Sequence, residues 1–213
     1  MTGKFYIIKK DLKLKKLSFY YKISNKLSKH DHIIFEFNKK VRLIYNDVRK
    51  FGFFLIVNTQ DINELRFFKS LGPEPLSIEF NHINFKKKLS KRNLPVKSLL
   101  MDQTVISGLG NIYANEILYF CKISPLKKAD KLDSDDIKKI IVYTKKILKN
   151  AINLGGSSIK DFKKSDGKFG KYQQKFKVYG KDNLKCPTRD CKSFIRKVRL
   201  SGRSTYFCPS CQK

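Results

Sequence analysis

Four cysteines close the chain in two pairs, Cys186 and Cys191 in "CPTRDC" and Cys208 and Cys211 in "CPSC", with sixteen residues between the pairs. Two close pairs of thiolates, each on a turn, can complete a tetrahedron around Zn2+. Pro187 and Pro209 follow the first cysteine of each pair and favour the tight turns such a site requires. So short a tail cannot bury a core of its own, and metal binding would supply its stability. The competing reading is a pair of disulfides, which a reducing compartment disfavours. Cys121 stands apart in an apolar helical stretch and reads as an ordinary buried thiol.

A second chemical signal lies in "MDQTVISGLGNIYANEILYF", residues 101–120, which reads as helix on both sides of a break at Gly108-Leu109-Gly110. Glycine supplies backbone angles that other residues resist. Asn111 then reads as the cap of the second helix, with free N–H groups and the positive end of the helix dipole facing outward. Helix starts of this kind bind anions.

The elements that must position these groups follow from periodicity. Over residues 4–57, "KFYIIKK", "LSFYYKIS", "HIIFEF", "VRLIYND" and "FGFFLIV" read as strands separated by turn-forming segments. Several are apolar on both faces, so the sheet needs a second covering layer. From Asp61 the pattern turns helical. "DINELRFFKSLGPEPLS" reads as a short helix closed by Gly72, and "IEFNHINFKKKLSKR" as another. Pro95 opens "PVKSLLMDQTVI" in a favourable first-turn position. Ser134 caps a long helix whose Ile137, Ile140, Ile141, Leu148, Ala151 and Ile152 share one face. After Gly156 a glycine- and lysine-rich segment reads as a mobile loop leading to the tail, where "FIRKVRLSGRSTYF" alternates as a β-hairpin turning at or near Ser201-Gly202.

Charge bounds the partner. The chain of 213 residues carries 47 Lys and Arg against 18 Asp and Glu, a net charge of +29. Its spread along the sequence describes folded basic surfaces, which favour nucleic acid or an anionic membrane. A lysine-rich proteome from an AT-rich genome accounts for the same excess in part. No apolar run approaches the ~20 residues of a membrane span, and the N-terminus lacks the pattern of a signal peptide. The expected compartment is therefore the cytoplasm, with no membrane span.

Taken together and in order, "KHDHIIFEF", "YNDVRKFG", "LGPEPLS", "LMDQTVISGLGNIYANEILY", "GGSSIKDF", "VYGK" and "RSTYFCPSCQ" resemble the formamidopyrimidine-DNA glycosylase/endonuclease VIII family. The "SDGKFG" loop and Lys97 favour its formamidopyrimidine, or 8-oxoguanine, branch. The resemblance implies an α+β protein: a partial antiparallel β-sandwich over residues 1–75, a helix–two-turn–helix DNA-binding domain over 76–164, and a lesion loop with a four-cysteine zinc β-hairpin over 165–213. It also implies a base-excision enzyme that removes oxidised purines from damaged double-stranded DNA and then cuts the strand at the abasic site.

Residue by residue, Asn111 matches the asparagine that holds a phosphate beside the lesion, although a plain helix cap accounts for it equally. Arg203 matches the hairpin arginine that clamps flanking phosphates and serves as a proton donor in the final elimination. Arg49 and Phe51 match the loop that fills the gap left by a flipped base, with guanidinium to the orphaned base and aromatic wedge in the stack. Read alone, Phe51 is a core aromatic of a strand. Met1 aligns with a third void-filling residue. His30 and Arg92 match DNA-contacting positions, and Lys97 matches a lysine on the lesion-side surface. Residues 165–176 match the loop that closes over the everted base.

The chain departs from the family in several places. Val48 stands where a proline is usual, Lys171 displaces the usual tyrosine or phenylalanine, and the first cysteine pair is spaced by four residues instead of two. The opening "MTGKF" resembles a mid-domain segment, so the N-terminal proline nucleophile, its glutamate and an internal lysine are not identifiable. A fragment of a glycosylase/lyase, a noncatalytic DNA-binding zinc module and, from another class, a basic RNA-binding zinc protein all follow from these features.

Overall fold

The computed structural model describes residues 3–9, 29–37, 41–90, 92–157 and 170–213. The chain divides into two compact units, Met1–Asn58 with Leu154–Gln173, and Thr59–Asn153 with Gln174–Lys213. The helices and the four-cysteine tail thus belong to one unit.

In the first unit, β1 (Lys4–Lys9), β2 (Asp31–Phe37) and β3 (Val41–Asn46) form an antiparallel sheet in the order β1-β3-β2. Lys4 lies opposite Asn46 and Lys9 opposite Val41, while Phe37 of β2 also faces Val41. The expected strand at "LSFYYKIS" lies outside the described residues. "FGFFLIV", also expected to be a strand, is not one: residues 51–58 run without regular structure. Phe54 instead lies on the sheet, its ring 4.9 Å from that of Tyr45 and 5.8 Å from that of Phe35. Phe35 and Phe37 on one face of β2, and Ile34 on the other, stay exposed, so no described residue covers either face of that strand fully.

The second unit starts with a 3-10 turn at Thr59–Glu64 and a single α-helical turn, α1 (Arg66–Lys69), where one short helix was expected. Neither buries a residue, and a short helix without tertiary packing does not propagate. α2 (His82–Leu89) is capped by Asn81, whose side chain accepts from the Asn84 N–H at 3.0 Å, and it buries Phe85 and Leu89. α3 (Val96–Leu100) follows Pro95, which occupies the cap position itself. α4 (Asn111–Cys121) is buried along most of its length.

α5 (Ser134–Asn153) is capped one residue earlier than expected. The Asp133 carboxylate accepts from the Asp136 N–H at 2.7 Å, while Ser134 Oγ meets His82 Nε2 at 2.9 Å. Its buried stripe is Ile137, Ile140, Thr144, Ile147 and Ala151, and Ile152 is exposed, so the face is rotated from the expected one. The unit packs around Phe80, Leu99, Leu100, Ile106, Leu109, Ile117 and Leu118. Among the described residues, no helix is long and apolar enough to cross a membrane.

The tail forms the expected hairpin, β4 (Arg196–Leu200) paired with β5 (Arg203–Phe207). Leu200 lies opposite Arg203, leaving a two-residue turn in which Ser201 and Gly202 have φ of 47° and 74°. Positive φ at both central positions is the type I′ geometry that matches the twist of a hairpin.

Candidate nucleic-acid interface

The four cysteine sulfurs lie within 4.8 Å of one another, with Cys186 3.8 Å from Cys211 and Cys191 3.7 Å from Cys208. A tetrahedron with metal–sulfur bonds of about 2.3 Å has edges of roughly 3.8 Å, so the set fits zinc. All five cysteines are free of disulfides, and Cys121 is buried, as expected. The two additional residues of the first pair turn outward: Asp190 has φ of 62°, and Arg189 and Asp190 are almost fully exposed. Gln212 braces the second pair, accepting from Cys208 N–H at 2.9 Å and donating to the Ile123 carbonyl at 2.9 Å.

Helix α4 holds the hairpin and the segments before it through polar side chains along its length. Asn111 Nδ2 donates to the Ser204 carbonyl at 3.0 Å. Asn115 donates to the Asn111 carbonyl at 2.6 Å and accepts from the Tyr206 N–H at 2.7 Å. Glu116 accepts from the backbone N–H groups of Lys177, Val178 and Tyr179 at 2.8, 3.0 and 2.9 Å. Tyr119 pairs its hydroxyl with Thr188 Oγ1 at 2.7 Å, beside Cys186. Burial pushes the Glu116 carboxyl up, and its amide partners and Lys181 offset that only in part.

Asn111 is therefore not the cap of α4. Gly110 is, in extended backbone, and its carbonyl accepts the first helical bond from Ala114. Asn111 stands one residue inside, with its amide committed to the hairpin. The turn before it depends on Gly108, at φ of 75°, and on Gln103, which accepts from the Gly108 N–H at 2.7 Å and donates to the Leu109 carbonyl at 3.2 Å. A Cβ at Gly108 or Gly110 would meet nothing within 4 Å, so open space faces the helix start.

Lys97 corrects a second expectation. It is not on the surface: it is 1% exposed, and its Nζ donates to Thr205 Oγ1 at 2.7 Å and to the Ser204 carbonyl at 3.3 Å. Burial and then the charge of Arg203 pull its pKa from 10.5 to about 8. Lys97 and Asn111 thus converge on Ser204, next to Arg203, which is exposed at the start of β5. Arg92 forms an ion pair with Asp102 at 2.9 Å. Burial raises the Asp102 pKa, but hydrogen bonds from Thr104 and Arg92 outweigh it and hold the carboxyl below its usual value.

In the sheet unit, the turn after β3 is organised by Asp47, which is 2% exposed. Its carboxylate accepts from the N–H groups of Arg49, Phe51 and Gly52 at 3.1, 2.9 and 2.9 Å. Arg49 and Phe51 both project into solvent, and the guanidinium carbon sits 4.5 Å from the centre of the Phe51 ring. Phe51 is thus no core aromatic. His30 precedes β2, and its carbonyl accepts from the Asp47 N–H at 3.0 Å. Among the described residues, the cysteine cluster is the one group with metal-ligand geometry, and neither His30 nor His32 belongs to one. Met1 and residues 165–169 of the expected lesion loop lie outside the described residues.

Asn115, Glu116, Gln103 and Asp47 were not singled out from the sequence. Asn115 and Glu116 carried a signal nonetheless, as polar residues inside the apolar α4.

Comparison with known proteins gives two family matches. "Formamidopyrimidine-DNA glycosylase H2TH domain" matches residues 71–163, and "Zinc finger found in FPG and IleRS" matches residues 183–213. A formamidopyrimidine-DNA glycosylase of Listeria monocytogenes is 43% identical over 187 residues, covering 88% of this chain and 68% of the relative. One from Dinoroseobacter shibae is 40% identical over 187 residues, covering 88% and 66%. The chain therefore spans about two thirds of the length of these relatives. The solved complex of the Lactococcus lactis Fpg with an abasic-site DNA superposes with a TM-score of 0.79 at 36% identity, covering all of this chain and 72% of that one. The complex of MutM with DNA containing carbocyclic 8-oxo-G gives 0.80 at 37% identity, with the same coverage.

Proposed function

The chain belongs to the formamidopyrimidine-DNA glycosylase family, and from that premise we propose that it grips damaged double-stranded DNA as the lesion-holding part of a base-excision glycosylase and AP lyase acting on oxidised purines. The observation that carries this reading is the convergence of Lys97 and Asn111 on the Ser204 carbonyl, which joins the exposed Arg203 and the open start of α4 in one block.

In this reading the start of α4 and Arg203 bind phosphates on either side of the damaged nucleotide. The free N–H groups and dipole of the helix favour the anion, and the guanidinium adds charge-assisted hydrogen bonds. Arg203 lies at the strand break, where it donates a proton in the final elimination. Lys97 and Asn111 act one step back, holding the hairpin that presents Arg203. Zinc bound by Cys186, Cys191, Cys208 and Cys211 supplies no reaction chemistry, only a rigid mount for a tail too short to fold unaided. Arg49 and Phe51 fill the space of an everted base, the ring stacking and the guanidinium bonding the unpaired partner. Their contact with each other and the Asp47 scaffold present them ready for that task. His30, Arg92 and Met1 contribute further backbone contacts. The divisions 1–75, 76–164 and 165–213 are the corresponding functional parts, in a monomer acting at the nucleoid.

The test is titration of the zinc-loaded chain against duplexes that are intact, abasic or 8-oxoguanine-bearing. A preference of about tenfold or more for the lesions is expected, with affinity falling steeply as salt rises. Equal affinity for all three duplexes overturns the reading. Borohydride separates the catalytic from the binding part, because a trapped covalent adduct requires an amine that attacks the sugar C1′.

A further inference from the structure

Tyr119, near the end of α4, is buried with its ring in an apolar cluster that also holds Val178, Ile195, Tyr206 and the ligand candidates Cys186 and Cys208. Its hydroxyl lies 2.7 Å from Thr188 Oγ1 and 3.8 Å from Cys186 Sγ. Thr188 belongs to "CPTRDC", the wide turn of the first cysteine pair. Its N–H donates to Cys186, and its hydroxyl is within hydrogen-bonding reach of both Cys186 and Cys211, whose sulfurs are 3.8 Å apart. Its carbonyl accepts from the Cys191 N–H at 3.1 Å.

Four thiolates around a dication leave net negative charge on the sulfurs, and a thiolate offers only lone pairs, so a polar neighbour must donate to it. Each hydroxyl brings one proton, and the bond between them uses one of the pair. A phenol is the more acidic group and the better donor, while an alkyl hydroxyl is the better acceptor. Tyr119 therefore donates to Thr188, which leaves the Thr188 proton for the sulfurs. The separation of 3.8 Å between the Tyr119 oxygen and Cys186 Sγ is long for a direct bond.

We infer that Tyr119 and Thr188 form a directed pair of hydrogen bonds, phenol to threonine hydroxyl to the Cys186–Cys211 edge of the sulfur cluster, that slows the loss of zinc. Both are positioning residues: neither coordinates the metal, and Tyr119 acts only through Thr188. Helix α4 thereby holds the metal ligands themselves as well as the hairpin, whatever duplex the protein binds. A hydrogen bond to a ligating sulfur draws off part of its charge and keeps it aimed at the metal, and the phenol polarises the threonine O–H further. Thr188→Val is nearly isosteric and deletes the hydroxyl, Thr188→Ser keeps it, and Tyr119→Phe removes only the first donor.

The experiment follows release of Zn2+ from the full chain to an excess of a chromophoric chelator. The sulfur-to-metal charge-transfer absorption of the Co2+-loaded chain is the second readout. Thr188→Val is expected to release zinc about tenfold faster than wild type. Its charge-transfer band should move to longer wavelength, because the sulfur lone pairs lose a hydrogen bond that lowers their energy. Tyr119→Phe is expected to accelerate release about threefold with a smaller move in the same direction, and Thr188→Ser to match wild type in both readouts. In the Thr188→Val background Tyr119→Phe is expected to add nothing, since its route to the sulfurs is already gone. Faster release without a band shift overturns the inference and marks a turn that has merely lost packing. It is equally overturned by unchanged release from Thr188→Val, by Thr188→Ser behaving as Thr188→Val, or by effects that multiply in the double variant.

Discussion

In the unit of helices and zinc hairpin, Phe80, Leu100, Ile117 and Leu118 are completely buried, whereas in the sheet unit Phe51, Phe53 and Ile56 are 76%, 73% and 100% exposed. The two units also fix their candidate site residues by different means. Lys97, Asn111 and Arg203 stand on regular elements joined by side-chain to backbone bonds across large sequence separations. Arg49 and Phe51 stand on a single turn held by one buried carboxylate. A site supported by a metal and a packed helix is insensitive to small local losses. A site supported by one side chain is not.

Removing zinc breaks this contrast most severely. Chelation is expected to unfold the hairpin and lower DNA affinity by about two orders of magnitude, because structural zinc contributes about 10 kcal/mol or more to so small a module. Far-ultraviolet circular dichroism should retain the signal of α4 and α5. If the metal-free chain binds abasic DNA as tightly as the loaded one, the hairpin is not the mount described for Arg203. Asp47→Ala addresses the other unit. Loss of the carboxylate leaves three N–H groups without their acceptor and is expected to cost about 2–3 kcal/mol, read as faster amide exchange over residues 47–52. Zinc affinity should not change; a drop would show that the two units do not behave separately.

The smallest effect belongs to Lys97. Its pKa is about 8 in the folded chain against 10.5 for the unfolded reference. Between those values the unfolded state binds more protons, so stability rises with pH through the window. Lys97→Met removes this slope. The wild-type advantage over the variant should grow from pH 8 to pH 10.5 by on the order of 1 kcal/mol, allowing for solvent screening. Parallel profiles for the two proteins would mean that Lys97 titrates normally.

The sequence disclosed what rests on spacing and periodicity. The cysteine pairs, the Ser201-Gly202 turn, the glycine break before α4 and the long α5 each follow from local rules. What it did not disclose depended on contacts remote in sequence. Asn111 looks like a cap because caps are local, but Ser204, more than ninety residues away, takes its side chain. Lys97 looks like surface charge because lysine usually is, yet Thr205 and Ser204 draw it inside. "FGFFLIV" looks like a strand by composition, but strand propensity is realised only against a partner strand. One of its aromatics, Phe54, found the sheet face instead.

The wide turn between Cys186 and Cys191 has a practical consequence. Its Arg189 and Asp190 project almost wholly into solvent while the flanking sulfurs keep their places. Length can vary there without disturbing the strands, whereas a one-residue change within β4 or β5 would reverse which side chains face inward. Position 189 is accordingly where a reporter dye or affinity handle can be attached with least disturbance to the metal-bound tip.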